Sequence, residues 1–152
     1  MILFRLGREK YANSLSGAGA ARKGARWNSP GVEIIYCASS RALAMAEVVV
    51  HLTAATVPDD YMMTSINAPE KSGIQRIYAE NLTPDWNVFP FLKSSRSFGD
   101  SFIRENKFLL LQVPSAVVKG DHNILINPFH RDFGKVKIMG TERFPLDGRL
   151  FH

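Results

Sequence analysis

The stretch Gly24-Ala-Arg26-Trp-Asn28-Ser-Pro-Gly31-Val-Glu-Ile-Ile-Tyr36-Cys, continued by Ser40-Arg-Ala-Leu43-Ala-Met-Ala-Glu47-Val-Val-Val-His51, decides the reading of this chain. It opens as a glycine-rich basic loop. Asn28-Ser-Pro-Gly31 is a turn signal. Residues 32–37 are β-branched and aromatic, as in a strand. Ser39 or Ser40 then offers a cap for a helix running to about Ala55, with Pro58 beyond its end. Glu47 stands nearly alone among apolar neighbours in that helix. A carboxylate in such a setting needs a partner or a purpose. Leu43, Glu47, Val50 and His51 fall on one helical face by their spacing of three and four.

Outward from this segment, residues 2–6, 61–66, 74–78, 108–113, 123–126 and 136–139 read as strands. Residues 14–28 are small, glycine-rich and basic, a loop with room for one helical turn. Residues 84–93 form an aromatic, proline-broken loop, and 98–106 a second helix. The helices are too few to cover both faces of a parallel sheet. The expected class is therefore α+β, with a mixed, mainly antiparallel sheet in a single domain over residues 1–152. No internal repeat or linker interrupts it.

Composition bounds the function. No apolar run approaches the roughly 18 residues of a membrane span, so no membrane partner is expected. No basic n-region followed by an apolar stretch marks a signal peptide. The single cysteine, Cys37, excludes an internal disulfide framework and points to a reducing cytoplasm. No Cys/His spacing fits a metal site. The net charge of +5 suits nucleic acid, an anionic small molecule or an acidic partner. The basic residues are scattered, with Arg22, Lys23 and Arg26 densest. A nucleic-acid footprint is longer and interleaved with aromatics.

Each candidate residue carries a plain structural alternative. Glu47 is either chemistry or an ion-pair partner at the edge of a buried face. His51, one turn on, lacks the further ligands a metal would need and reads as a core histidine. Gly17, Gly19 and Gly24 fit neither the dinucleotide fingerprint nor the P-loop. Arg26 beside them has a guanidinium suited to clamping a pyrophosphate, and Trp27 implies a loop that packs down. Tyr36 shares its strand face with Ile34 and Val32, as core or as a stacking surface for a planar ring. Cys37, on the other face, is a small buried hydrophobe. Ser115 after Pro114 is by itself a turn residue without a nucleophile elbow.

Taken together the segments resemble the RES-domain toxins of bacterial toxin–antitoxin systems. The matching pieces are Phe4-Arg5, Ser16-Gly17 through Gly31, Tyr36-Cys-Ala-Ser-Ser40 and Leu43 through Leu52. They continue with Val113-Pro-Ser115, Asn123-Ile-Leu-Ile-Asn127-Pro-Phe-His130 and Phe144-Pro-Leu-Asp-Gly-Arg-Leu-Phe151. The Arg-Trp-Asn-Ser-Pro-Gly and Asn-Pro-x-His blocks are the specific ones. The resemblance implies a fold similar to ADP-ribosyltransferases and the degradation of NAD as substrate, with no separate cofactor and no metal. It places Arg26, Tyr36, Glu47 and Ser115 on active-site positions, and Arg26, Tyr36, Ser115 and Asn127 on NAD-binding ones. Ala25 stands where many members carry a second glycine. A cognate antitoxin with a helix-turn-helix domain is implied too, so DNA is reached only through that partner. Water, phosphate or a protein side chain remain open as acceptor. A non-catalytic nucleotide-binding module is the alternative from another class.

Overall fold

Alternation along the strand Ile35–Ala38 sorts the interior into two layers, one on each side of a sheet. The computed structural model describes residues 1–151. The strands are β1 (Ile2–Arg8), β2 (Ile35–Ala38), β3 (Tyr61–Asn67), β4 (Ile74–Arg76), β5 (Leu110–Pro114), β6 (His122–Ile126) and β7 (Lys137–Arg143). The α-helices are α1 (Ala18–Lys23), α2 (Arg41–Val49) and α3 (Arg96–Glu105). The sheet order is β4-β5-β6-β2-β1-β3-β7. Every pairing is antiparallel except β4 with β5. This is the α+β, mainly antiparallel architecture expected from the scarcity of helices.

Ile35 and Cys37 face one apolar layer, with Leu3, Ile66, Leu110, Ile124 and Ile126. Ile34 and Tyr36 face the other, with Trp27, Phe102, Leu111, Val113 and Leu125. Helix α2 lies beside this second layer. Its Leu43 and Ala44 pack against Ala38, Met63, Phe4 and Leu6. The two helical covers, α2 on one side and α3 with the Trp27 loop on the other, leave a gap over β2 and β6.

Several boundaries differ from the sequence expectation. Helix α2 begins after Ser40, whose hydroxyl accepts from the Leu43 N–H at 3.0 Å. It ends at Val49 rather than near Ala55. Three consecutive β-branched residues, Val48 to Val50, weaken it. Beyond them Thr53 and Thr56 bond each other's backbone and side chains, a competing turn. Strand β2 starts three residues later than expected. Val32 is held in the preceding turn, its N–H on the Ser29 carbonyl and its carbonyl on Asn28 Nδ2. Strand β7 runs four residues longer than the expected 136–139 at its far end, paired with β3 through an irregularity between Ser65 and Ile66.

Cys37 is buried, and desolvation pushes its thiol up to about 12 from 9.0. Below the unfolded value both states hold the proton. Above it the unfolded chain loses the proton while the native chain keeps it, so stability falls as pH rises from about 9 toward about 12. Cys37→Ala should flatten this alkaline decline, read from urea midpoints across that window. An unchanged slope would place the alkaline sensitivity elsewhere.

Candidate active site

The gap over β2 and β6 is a cleft of about 640 Å³, within the range of small-molecule sites. Its walls come from the loop at Ala25–Arg26–Trp27, from α2, from the aromatic loop around Phe89 and Phe91, and from the β5–β6 connection. Arg26, Tyr36 and Glu47, more than 20 residues apart end to end in sequence, all line it.

Glu47 projects from α2 toward the sheet. Its Oε1 accepts from Ser115 Oγ and from Asn123 Nδ2, both at 2.7 Å. Among the described residues no cation pairs with it. The ion-pair alternative considered for Glu47 therefore gives way to a carboxylate held by two neutral donors through one oxygen. The two bonds fix its position without pairing it to a cation.

Ser115 reaches the site through Glu47. It is buried and does not line the cleft. Its Oγ accepts from the Val117 and Val118 N–H groups at 3.1 and 3.0 Å, and its one proton goes to Glu47. Ser115 thus positions Glu47 from below. Asn127 is not brought to the cleft. It lies at the opposite end of β6 from the cleft, four residues past Asn123. Its Nδ2 donates to Asn106 Oδ1 at 2.6 Å, and its Oδ1 accepts from the Phe129 N–H at 2.9 Å. The β6 asparagine that reaches the cleft is Asn123. Period-two alternation could have found it: a polar residue on the same face as Leu125 and Tyr36 has to meet something polar.

Arg26 is half-buried across the cleft from Glu47. Its Nη1 donates to the Trp86 and Val88 carbonyls at 2.8 and 3.1 Å. Burial lowers its pKa, and the field of Glu47 partly offsets that. The Nε–Nη2 edge has no acceptor among the described residues, so a bidentate edge remains for an anion. Phe91 stacks against the guanidinium at 5.7 Å.

Tyr36 presents its ring to the cleft, but its hydroxyl is engaged. It donates to Asn28 Oδ1 at 2.6 Å and accepts from the Trp27 N–H at 3.2 Å. Burial raises its pKa well above the phenol range. The hydroxyl is therefore a strut, and the ring is what a ligand meets. His51 is exposed rather than core; it lines the mouth, with its ring 6.0 Å from that of Phe89. The described residues hold no cluster of three or more metal-ligating side chains. No helix there is long and apolar enough to cross a membrane.

Helix α3 holds the Arg26 loop in place. Ser95 Oγ donates to the Arg26 carbonyl at 2.5 Å, and Arg96 Nε to the Ala25 carbonyl at 3.1 Å. Asp100 accepts from the Ser29 N–H at 2.8 Å and its hydroxyl at 2.5 Å. Gly99 lets the two backbones touch, since a Cβ there would lie 1.8 Å from the Trp27 carbonyl oxygen. Gly99→Ala should accordingly cost about 3 kcal/mol, the upper range for overpacking. Gly19→Ala, inside α1 with nothing within 4 Å, is the control and should hold or slightly raise the wild-type urea midpoint. Equal midpoints for all three proteins would mean that α3 yields easily at this contact.

Residues 2–147 match the family model of the RES domain. The chain is 38% identical to the Prs ADP-ribosylating toxin of Sphingobium sp. (strain YBL2), covering 91% of this chain and 88% of that protein. It is 37% identical to Toxin Res of Pseudomonas putida, covering 99% and 100%. It is also 35% identical to Toxin Res of Photorhabdus laumondii, covering 99% and 97%. Among solved structures, a chain of the M. tuberculosis MbcT–MbcA toxin–antitoxin complex has the same fold. Its TM-score is 0.77 at 20% identity, over 98% of this chain and 85% of that one. With a family match over nearly its whole length and relatives above 35% identity that it spans almost completely, this chain belongs to the RES-domain family.

Proposed function

We propose that this protein is the toxin of a toxin–antitoxin system and that it consumes NAD by breaking the bond between nicotinamide and ribose. The observation that carries the reading is Glu47. It is a carboxylate fixed by two neutral donors, unpaired with any cation among the described residues, and it lines the same cleft as Arg26. The names of its relatives, an ADP-ribosylating toxin and two Res toxins, support the same class.

The chemistry suits these groups. Nicotinamide in NAD is bonded to ribose through a cationic ring nitrogen. When that bond breaks, its electron pair returns to the ring and the leaving group departs neutral, so no acid is required. Positive charge builds on the ribose carbon, and Glu47 stands as its counter-charge, held in place before the reaction begins. Arg26 offers a two-pronged edge to the pyrophosphate, supplying binding energy away from the reacting bond. The ring of Tyr36 offers a face to the nicotinamide. The oxygen of water or phosphate then bonds to the ribose carbon and gives its proton to solvent.

A second reading has ADP-ribose transferred to a protein side chain, and the name of the Sphingobium relative favours it. The residues are the same and only the acceptor differs. Labelled NAD incubated with cell lysate separates the two: label on protein marks transfer, and label confined to small products marks hydrolysis or phosphorolysis. A partner with an antitoxin's role belongs to either reading. We assign it a helix-turn-helix DNA-binding domain on the family resemblance, and cytoplasmic location on the reduced cysteine.

Glu47→Gln should leave the fold intact, because an amide oxygen can still accept from Ser115 and Asn123. Nicotinamide release should fall by about 10²-fold or more, as when a key electrostatic group is lost. Wild-type turnover in the folded variant would reduce Glu47 to a structural acceptor. Arg26→Lys should raise the KM for NAD with a smaller change in kcat, since lysine can keep the charge and a carbonyl bond but not the fork. Matching KM values in the two proteins would show that the position contributes only diffuse charge.

A further inference from the structure

The Asn-Pro-Phe-His block of residues 127–130 takes no part in the cleft, and it builds a second site. Beyond the far end of β6, with no lining residue in common with the cleft, lies a separate recess of about 290 Å³. It is lined by Asn106, Lys107, His130 and Arg131. We propose that this recess binds a phosphate-class oxyanion.

The argument is an inventory of donors and acceptors. His130 is 7% exposed. Its Nδ1 accepts from the Asp132 N–H at 3.1 Å, which puts the proton of the neutral ring on Nε2. Nε2 has no protein partner among the described residues, and no side-chain nitrogen or oxygen there is a sealed, unbonded atom. Nε2 therefore keeps some contact with solvent, and the His130 ring lines the recess. Asn106 caps α3 in the left-handed conformation at φ 52°. Its Oδ1 is occupied by Asn127, so its free side-chain group is the NH₂ donor. Lys107 and Arg131 are exposed and make no ion pair among the described residues. Of the two carboxylates adjacent in sequence to these lining residues, Asp132 is taken by Ser72 at 2.7 Å and Lys135 at 3.1 Å, and Glu105 is exposed and does not line the recess.

The recess thus offers an imidazole N–H, an amide NH₂, an ammonium and a guanidinium, and no carboxylate lines it. Such a surface fits a ligand that only accepts. A planar carboxylate uses two donors well, whereas a tetrahedral phosphate meets donors arriving from four residues. This also gives Asn127 its task, which is to turn Asn106 so that its donor faces outward.

The phosphate has two sources, free inorganic phosphate or the phosphomonoester of a nucleotide. The test follows the imidazole nitrogen signals of His130 by NMR while inorganic phosphate, and separately adenosine monophosphate, is titrated at constant ionic strength with chloride. A saturable shift at His130 Nε2 is expected. Lys107→Met and Arg131→Met, both at exposed positions, should each weaken the affinity roughly tenfold, the worth of one charge-assisted hydrogen bond. NAD consumption should stay at the wild-type level in both, which keeps this site distinct from the cleft. Equal affinity for the two probes assigns the recess to the phosphoryl group alone, and tighter binding of the nucleotide assigns it to the ester. An unmoved His130 signal with either probe, or an affinity indifferent to both substitutions, overturns the proposal.

Discussion

The side-chain amide of Asn28 is the interaction on which the rest of the cleft depends. It is fully buried. Its Nδ2 donates to the Ala20 and Val32 carbonyls, each at 3.0 Å, and its Oδ1 accepts the Tyr36 hydroxyl. One residue thereby ties α1, the turn before β2 and the middle of β2 to a single point. Replacing it with an apolar residue would leave buried carbonyls and a phenol unpaired, which is costlier than the bonds are individually worth. The loop carrying Arg26 has few regular backbone bonds of its own, and this amide stands in for them.

From that point the constraint spreads in two directions. Toward α3, the backbone of residues 25–29 is clasped by Ser95, Arg96 and Asp100, and Gly99 allows the close approach that brings them there. Trp27 seals the contact against Trp86 and Phe98 at ring separations of 6.0 and 6.3 Å. Toward the sheet, the Tyr36 hydroxyl is drawn into the loop, leaving its ring along the cleft wall. Arg26 is carried by this assembly, and its Nη1 bonds to the aromatic loop fix the orientation of its free edge.

Glu47 reaches the cleft by an independent route. Helix α2 is anchored through Leu43 and Ala44, and the carboxylate is caught by Ser115 and Asn123 from neighbouring strand ends. The two charged groups therefore sit on separately supported walls. Neither neutralises the other, and the gap between them stays open. A direct Arg–Glu pair in a half-buried cleft would satisfy both groups and leave little charge for a ligand. Distributing their partners among carbonyls, a hydroxyl and an amide keeps both charges in use.

Local rules in the sequence determined the α+β class, the two faces of β2, the Ser40 cap and the packed-down loop implied by Trp27. Turn chemistry, alternation and capping act over a few residues and leave their marks in order along the chain. The same rules singled out Glu47, because a carboxylate among alanines and valines is anomalous wherever the helix lies. Only the tertiary structure decided what that carboxylate meets. Ser115 and Asn123 lie 68 and 76 residues from it, and no local pattern reports a partner at that distance. What Ser115 and Asn127 touch was decided in the same way. A hydroxyl or an amide is a ligand group or a strut according to which donors and acceptors the fold brings beside it. That pairing is set by the register of β5, β6 and β2, not by the residue type.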